Sequence, residues 1–157
     1  MAEAGKAPDI AELIHRGGVF FDVEGKTPQE VFANFVKMIK IPDGMTSDQV
    51  YNALCAREEV LSTAVGNGIA LPHARAPIMK DEKDQRICVV YLKNALDMNA
   101  PDERAVFVMF VLLTHNPQIH LQVLSDLAGL FRSTRFRKAL EIKSGEEELT
   151  ALIKDLA

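Results

Sequence analysis

The sequence predicts a single α/β domain, residues 1–157, in which a mixed β-sheet is flanked by helices on both sides. Two runs, 87–92 and 106–113, are almost continuously apolar, as expected of strands buried on both faces. Helix-start signals precede apolar residues at helical spacing in several other stretches. These strand and helix patterns interleave without a break in composition, which indicates one layered domain.

The predicted helices are located by their N-terminal signals. Capping boxes stand at 27–30, 46–49 and 144–147, the first with proline at the first helical position. Asn116-Pro117 predicts the start of another helix, and a short helix is expected from 135 to 142. Each stretch then presents an apolar stripe that a sheet face can bury.

Two shorter strands are expected at 19–23 and 69–71. The second follows Gly66-Asn67-Gly68, where Asn-Gly favours positive φ and marks a tight turn. This turn lacks the GxGxxG spacing of a dinucleotide site and the lysine of a P-loop. We therefore interpret it as a device that shapes the chain ahead of His73.

Composition excludes several function classes. A net charge of −4 argues against nucleic-acid binding. The sequence shows neither a signal peptide nor an apolar run near the ~20 residues of a bilayer span, so we expect a cytoplasmic protein without direct membrane insertion. Cys55 and Cys88 are expected to be buried, reduced thiols. A basic cluster is predicted to be a solvated helix face: Arg132, Arg135, Arg137 and Lys138.

His73 is the first candidate for chemistry. Pro72 fixes its own φ, and it stiffens the chain that leads into the histidine. Arg75 lies two residues beyond and would place a positive charge nearby. A structural histidine in a turn remains the alternative for this residue.

His120 and Arg57 favour a functional role for His73 over a structural one. His120 falls in the first turn of the helix after Asn116-Pro117, where the helix terminus favours anions and the neutral imidazole. Arg57, followed by Glu58, lies at the end of another predicted helix and could face an anion held on His73. A partly buried helix histidine and an exposed charged helix end are the alternatives.

Nucleophilic catalysis by histidine fits these residues. A neutral imidazole attacks a phosphoryl donor and holds the group through a labile N–P bond, and cationic or N–H groups stabilise its oxygens. No serine stands in a nucleophile elbow. A metal would need a third ligand beside His73 and His120 that the sequence does not indicate, so neither metal nor cofactor is expected.

Two runs of the chain carry a family resemblance. The segments 56–59 and 62–75, including Gly-Asn-Gly-Ile-Ala-Leu-Pro-His-Ala-Arg, resemble the signature of enzyme IIA domains of the mannitol/fructose class. These domains belong to the bacterial phosphoenolpyruvate-dependent phosphotransferase system and include a nitrogen-regulatory branch. The run 111–128, with His120, is similar as well, and the likeness covers about residues 10–155.

The resemblance implies a phosphocarrier. It implies that His73 accepts a phosphoryl group from an HPr-like carrier and passes it to an enzyme IIB, with Arg57 and His120 lining the site. Arg75, Glu58 and Gly68 are then expected as neighbours. The chain departs from the pattern at 97–104, which lacks an expected glycine turn, and at His115, an additional histidine. His115 is predicted to be a surface loop residue, and His15, near the end of an N-terminal helix, needs no functional role.

Two roles stay open at this point. One is a transport subunit for a sugar of the fructose/mannitol type, and the other is a regulatory protein whose phosphorylation state controls its binding to target proteins. The sequence ends at Ala157 with neither a IIB nor a membrane domain behind it, which we take to favour the nitrogen-regulatory branch. A cognate IIB and membrane component encoded nearby would favour transport.

Overall fold

The computed structural model describes residues 9–156. Its strands are β1 (Val19–Val23), β2 (Ala64–Gly66), β3 (Ile69–Ala70), β4 (Arg86–Leu96) and β5 (Val106–Leu113). Its helices are α1 (Ile10–Gly17), α2 (Pro28–Val36), α3 (Ser47–Val60), α4 (Pro117–Phe131), α5 (Thr134–Glu141) and α6 (Glu146–Leu156), with a 3₁₀ turn at Glu82–Asp84.

The strands form one mixed sheet in the order β1-β4-β5-β3-β2. Strand β4 pairs parallel with β1 and antiparallel with β5. Strand β3 pairs parallel with β5 and antiparallel with β2. The predicted α/β class with a mixed sheet is confirmed. β4 extends beyond the predicted run to Leu96, and its register with β5 shifts between Tyr91 and Leu96.

Helices cover both faces of the sheet and enclose two apolar cores. Along β4, Cys88 and Val90 pack beneath α2 and α3, whereas Ile87, Val89 and Tyr91 pack beneath the layer formed by α1, α4, α5 and α6. Successive side chains of a strand point to opposite faces, so a strand covered on both sides has to be apolar throughout. Both cysteines are buried and free, as the sequence predicts.

The helix starts follow most of the predicted caps. Both reciprocal bonds of the capping box form at 46–49, and the Asn116 side chain caps α4. At 27–30 the threonine accepts its expected backbone bond. The box predicted at 144–147 is wrong, because α6 begins at Glu146 and the backbone of Ser144 is bonded instead to the end of α5 and to a tyrosine hydroxyl.

The loop at 97–104 supports the hairpin of β2 and β3. Asn99 and Glu103 adopt positive φ angles of 55° and 61°, so non-glycine residues supply the turns that a glycine was expected to make. The Asp102 carboxylate accepts a hydrogen bond of 2.8 Å from the backbone N–H of Asn67 at the tip of the hairpin. This contact joins two segments that lie 35 residues apart in the sequence.

Gly68 is the position of the hairpin that most strictly requires glycine. Its φ is +78°, and an added Cβ would lie 2.5 Å from the ring of Phe107. We expect Gly68→Ala to lower the free energy of unfolding by roughly 1–3 kcal/mol, because left-handed strain and the clash add. Urea denaturation measures the change.

Gly129→Ala is the matched control. Gly129 lies inside α4 with nothing within 4 Å of an added Cβ, so we expect roughly 0.5–1 kcal/mol of stabilisation. Equal urea midpoints for the two variants would contradict the requirement for glycine at position 68.

Candidate functional site

The candidate site lies where the parallel strands β3 and β5 end. Beyond β3, the Pro72 carbonyl accepts a 2.9 Å hydrogen bond from the N–H of Leu112, and His73 forms a parallel bridge with the same residue. The C-terminal ends of parallel strands meet at one edge of a sheet, and the N-terminus of α4 follows β5 at this edge. The topology thereby brings the residues after β3 next to the residues after β5 and the start of α4.

The ring of His73 is held in one tautomer by the backbone carbonyl of Leu71, two residues earlier. Its Nδ1 lies 2.7 Å from the carbonyl oxygen of Leu71. A carbonyl oxygen only accepts, so Nδ1 carries the proton and Nε2 keeps its lone pair. The side chain is partly buried, and burial is the main cause that lowers its pKa below the ordinary value of 6.5. The imidazole is therefore neutral and nucleophilic at neutral pH.

Glu58 supports this geometry through a chain of hydrogen bonds. Its buried carboxylate accepts bonds from the N–H and the hydroxyl of Thr63, at 2.9 and 2.7 Å. The Thr63 carbonyl accepts the N–H of Leu71, whose own carbonyl receives the proton of His73. The resemblance implied Glu58 as a neighbour of the site, and the structure connects it to His73 through two intervening residues.

His120 lies beside His73. The two ring centroids are 5.0 Å apart and the ring planes are inclined by 52°. Burial and, to a smaller extent, the proximity of His73 lower the pKa of His120 to about 4. Its Nδ1 is 2.9 Å from the hydroxyl of Thr114, a buried residue at the end of β5 that the sequence analysis did not single out.

The arginines are placed differently from each other. Arg57, in the last turn of α3, donates a hydrogen bond of 2.6 Å to the Leu61 carbonyl and lies close enough to His73 to lower the pKa of that imidazole. Arg75 is exposed two residues beyond the histidine. Gly68 lies at the other end of β3, five residues before His73 and about 16 Å away along an extended chain. It shapes the hairpin and does not contact the paired histidines.

The comparison with known families agrees with this geometry. The family model for the EIIA 2 component of the phosphoenolpyruvate-dependent sugar phosphotransferase system matches residues 12–156. The chain belongs to this family. It is a phosphotransferase-system component of the enzyme IIA type.

Relatives of this enzyme IIA come from both branches of the family. A nitrogen regulatory protein of Pseudomonas aeruginosa is 25% identical over 151 residues, which are 94% of this chain and 96% of the relative. A mannitol-specific enzyme IIA component of Staphylococcus aureus is 25% identical over 149 residues, 90% of this chain and all of the relative. The crystal structure of the nitrogen regulatory protein IIA-Ntr from Neisseria meningitidis superposes with a TM-score of 0.77 at 27% identity, covering 92% of this chain and 98% of that one.

His115, the additional histidine, forms hydrogen bonds with the 77–85 loop of this enzyme IIA. Its Nδ1 donates to the Met79 carbonyl at 3.1 Å, and its N–H donates to the buried side chain of Gln85 at 2.9 Å. His115 lies in a loop, as predicted, but its ring is only partly exposed and joins the 77–85 segment to the start of α4. His15 is exposed on α1 and pairs with Glu146 at 2.7 Å.

Between residues 9 and 156, no three side chains of His, Cys, Asp or Glu converge in a way that would hold a metal ion. Within the same range, every helix is too short or too polar to span a bilayer. Among the residues predicted to act chemically, the structure places His120 and Arg57 near His73, with Glu58 connected to it through Thr63 and Leu71.

The histidines are expected to titrate at separate pH values in NMR spectra of the ring protons. His120 should titrate at about 4 and His73 below 6.5, because burial opposes both imidazolium ions. His15 should titrate above 6.5, because its hydrogen bond to Glu146 favours the charged ring. A midpoint for His120 above that of His15 would contradict the described environments.

The lowered pKa of His120 predicts how the stability of the fold changes with pH. Since the folded chain protonates His120 less readily than the unfolded chain does, the free energy of unfolding should fall as the pH drops from 6.5 towards 4. His120→Gln should show a smaller decrease than the parent over this interval, as measured by urea denaturation at each pH.

Proposed function

We propose that this enzyme IIA is a phosphocarrier that accepts a phosphoryl group on Nε2 of His73. The observation that carries the proposal is the bond from Nδ1–H to the Leu71 carbonyl, which leaves the Nε2 lone pair free beside the neutral ring of His120. The Nε2 lone pair attacks phosphorus on an HPr-like phosphocarrier. The new N–P bond forms as the donor's bond to phosphorus breaks, and the donor keeps the electron pair of that bond.

The surrounding groups stabilise the transferred group without a metal. Arg57 supplies positive charge on the α3 side of His73, and its hydrogen bond to Leu61 orients the guanidinium. His120 supplies a second ring nitrogen on the α4 side. Donors that are already oriented need little reorganisation as charge develops on the phosphoryl oxygens.

A nitrogen-type regulatory role is favoured over sugar transport. The support is that relatives named nitrogen regulatory protein align with almost the whole chain and share its fold. The second candidate is a transport subunit that hands the group to an enzyme IIB, and the mannitol-specific relative and the family description favour it. In the first case the phosphorylation state controls the binding of regulatory protein targets.

Reconstitution tests the phosphocarrier role. The purified chain, incubated with phosphoenolpyruvate, enzyme I and an HPr-like carrier, is expected to acquire one acid-labile phosphoryl group, and omission of the carrier should prevent it. Phosphorylation of equal rate without the carrier, or none with any carrier of the same organism, would contradict the proposal. Adding candidate enzyme IIB proteins to the phosphorylated chain then separates the two roles, because only a transport subunit passes the group on.

A further inference from the structure

Thr114 is the residue of the site for which sequence and family resemblance provide no role. It directly follows β5, is 3% exposed, and has its hydroxyl 2.9 Å from Nδ1 of His120. Its backbone carbonyl is already occupied by the N–H of Met79. The backbone of Thr114 is therefore tied to the 77–85 loop, and its hydroxyl is directed to the second histidine.

The direction of this hydrogen bond decides what His120 can do. A buried hydroxyl has to place its proton on an acceptor, and Nδ1 of His120 is the only partner of this hydroxyl among the described residues. If Nδ1 carried the proton instead, the threonine proton would lose that acceptor. The satisfied arrangement has the hydroxyl donating to Nδ1, which puts the imidazole proton on Nε2.

We propose that Thr114 is a positioning residue that holds His120 in the Nε2–H tautomer, so that the ring donates a hydrogen bond to the phosphoryl group carried by His73. The two histidines then have opposite roles, which are set by their different Nδ1 partners. Leu71 accepts from His73 and leaves a nucleophilic Nε2, whereas Thr114 donates to His120 and leaves an Nε2–H donor. This inference rests on the proposed phosphocarrier function for its kinetic consequence, but the tautomer stands independently of it.

The tautomer of His120 matters because the ring is neutral. Burial keeps the pKa of this ring at about 4, so at neutral pH it has one proton and one lone pair. A lone pair directed at the phosphoryl oxygens would repel them, whereas an N–H would stabilise their charge. The hydroxyl of one threonine thereby selects the donor form over the repulsive form.

The first test reads the tautomer by long-range ¹H–¹⁵N NMR of the full chain, without any phosphorylation. The parent and Thr114→Ser, which keeps the hydroxyl, are expected to show His120 protonated on Nε2. Thr114→Val, which keeps the branched shape without the hydroxyl, is expected to move the ¹⁵N resonance of Nδ1 to the position of a ring nitrogen without a hydrogen bond. A parent His120 protonated on Nδ1, or an Nδ1 resonance unchanged in Thr114→Val, would overturn the inference even if the chain proves not to be a phosphocarrier.

The second test measures phosphoryl transfer to His73 from the HPr-like carrier. Thr114→Val is expected to be about tenfold slower than the parent and Thr114→Ser close to it, since the hydrogen bond that fixes the donor nitrogen of His120 is lost. In a His120→Ala background, Thr114→Val should have no further effect on the rate. An equal loss in both backgrounds would show that Thr114 acts on the fold and not through His120.

Discussion

His73→Ala is expected to abolish phosphorylation by phosphoenolpyruvate, enzyme I and an HPr-like carrier. Alanine removes the imidazole whose Nε2 lone pair is left free by the hydrogen bond to Leu71, and the neighbouring His120 is bonded to Thr114 through its Nδ1. The measurement is the acid-labile phosphate on the chain after reaction. We expect none above the background of a reaction without the carrier.

The controls separate loss of chemistry from loss of fold. His15→Ala removes an exposed histidine on α1 and should leave the labelling unchanged. The His73 variant should retain the parent's circular dichroism spectrum, because the side chain belongs to neither apolar core. If His73→Ala is labelled as well as the parent, this residue is not the phosphoryl acceptor.

His120→Ala is expected to slow phosphoryl transfer by about 100-fold while still permitting phosphorylation. Loss of one oriented donor beside a developing charge has an effect of this size in other group-transfer sites. The ring centroid of His120 is 5.0 Å from that of His73, so alanine leaves a gap beside the phosphoryl group. Rapid-quench kinetics with the carrier in excess measure the rate of this step.

Two substitutions at position 120 sharpen the result. His120→Gln restores an N–H donor of similar reach and should recover part of the rate, whereas alanine should not. Complete loss of labelling in His120→Ala would show that His120 is itself the acceptor or is required for the fold. An unchanged rate would remove it from the site.

Several features were predictable from local patterns alone. The continuous apolar runs predicted strands covered on both faces, because a β-strand alternates its side chains between two apolar layers. The caps at 46–49 and 116–117 were predictable because a side chain and a backbone N–H three residues apart bond within one turn. The cap at 144–147 failed because contacts from β4 and α5 at that point outweigh the local signal.

The side-chain contacts that depend on how each segment is placed in the fold were not predictable in this way. Thr114 had no signal in the sequence, since a threonine at the end of a strand is ordinary until His120 folds back against it. Asp102 reaches the hairpin only because the loop after β4 passes beside it. Glu58 was expected as a neighbour of the site, but its burial and its hydrogen bonds to Thr63 became evident only in the fold.

The amino-acid sequence by itself determined the α/β class and indicated His73, His120 and Arg57 as the candidate residues, because hydrophobic periodicity, capping signals and a proline-stiffened histidine all act over a few residues. The tertiary structure decided which nitrogen of His73 is free, how near His120 lies, and that Thr114 and Glu58 support them. The hydrogen-bonding partners lie two to six residues apart in the sequence, and the pairing of β3 with β5 places the two histidines side by side at one edge of the sheet. A protonation site is chosen by the partner in space, and only the fold supplies that partner.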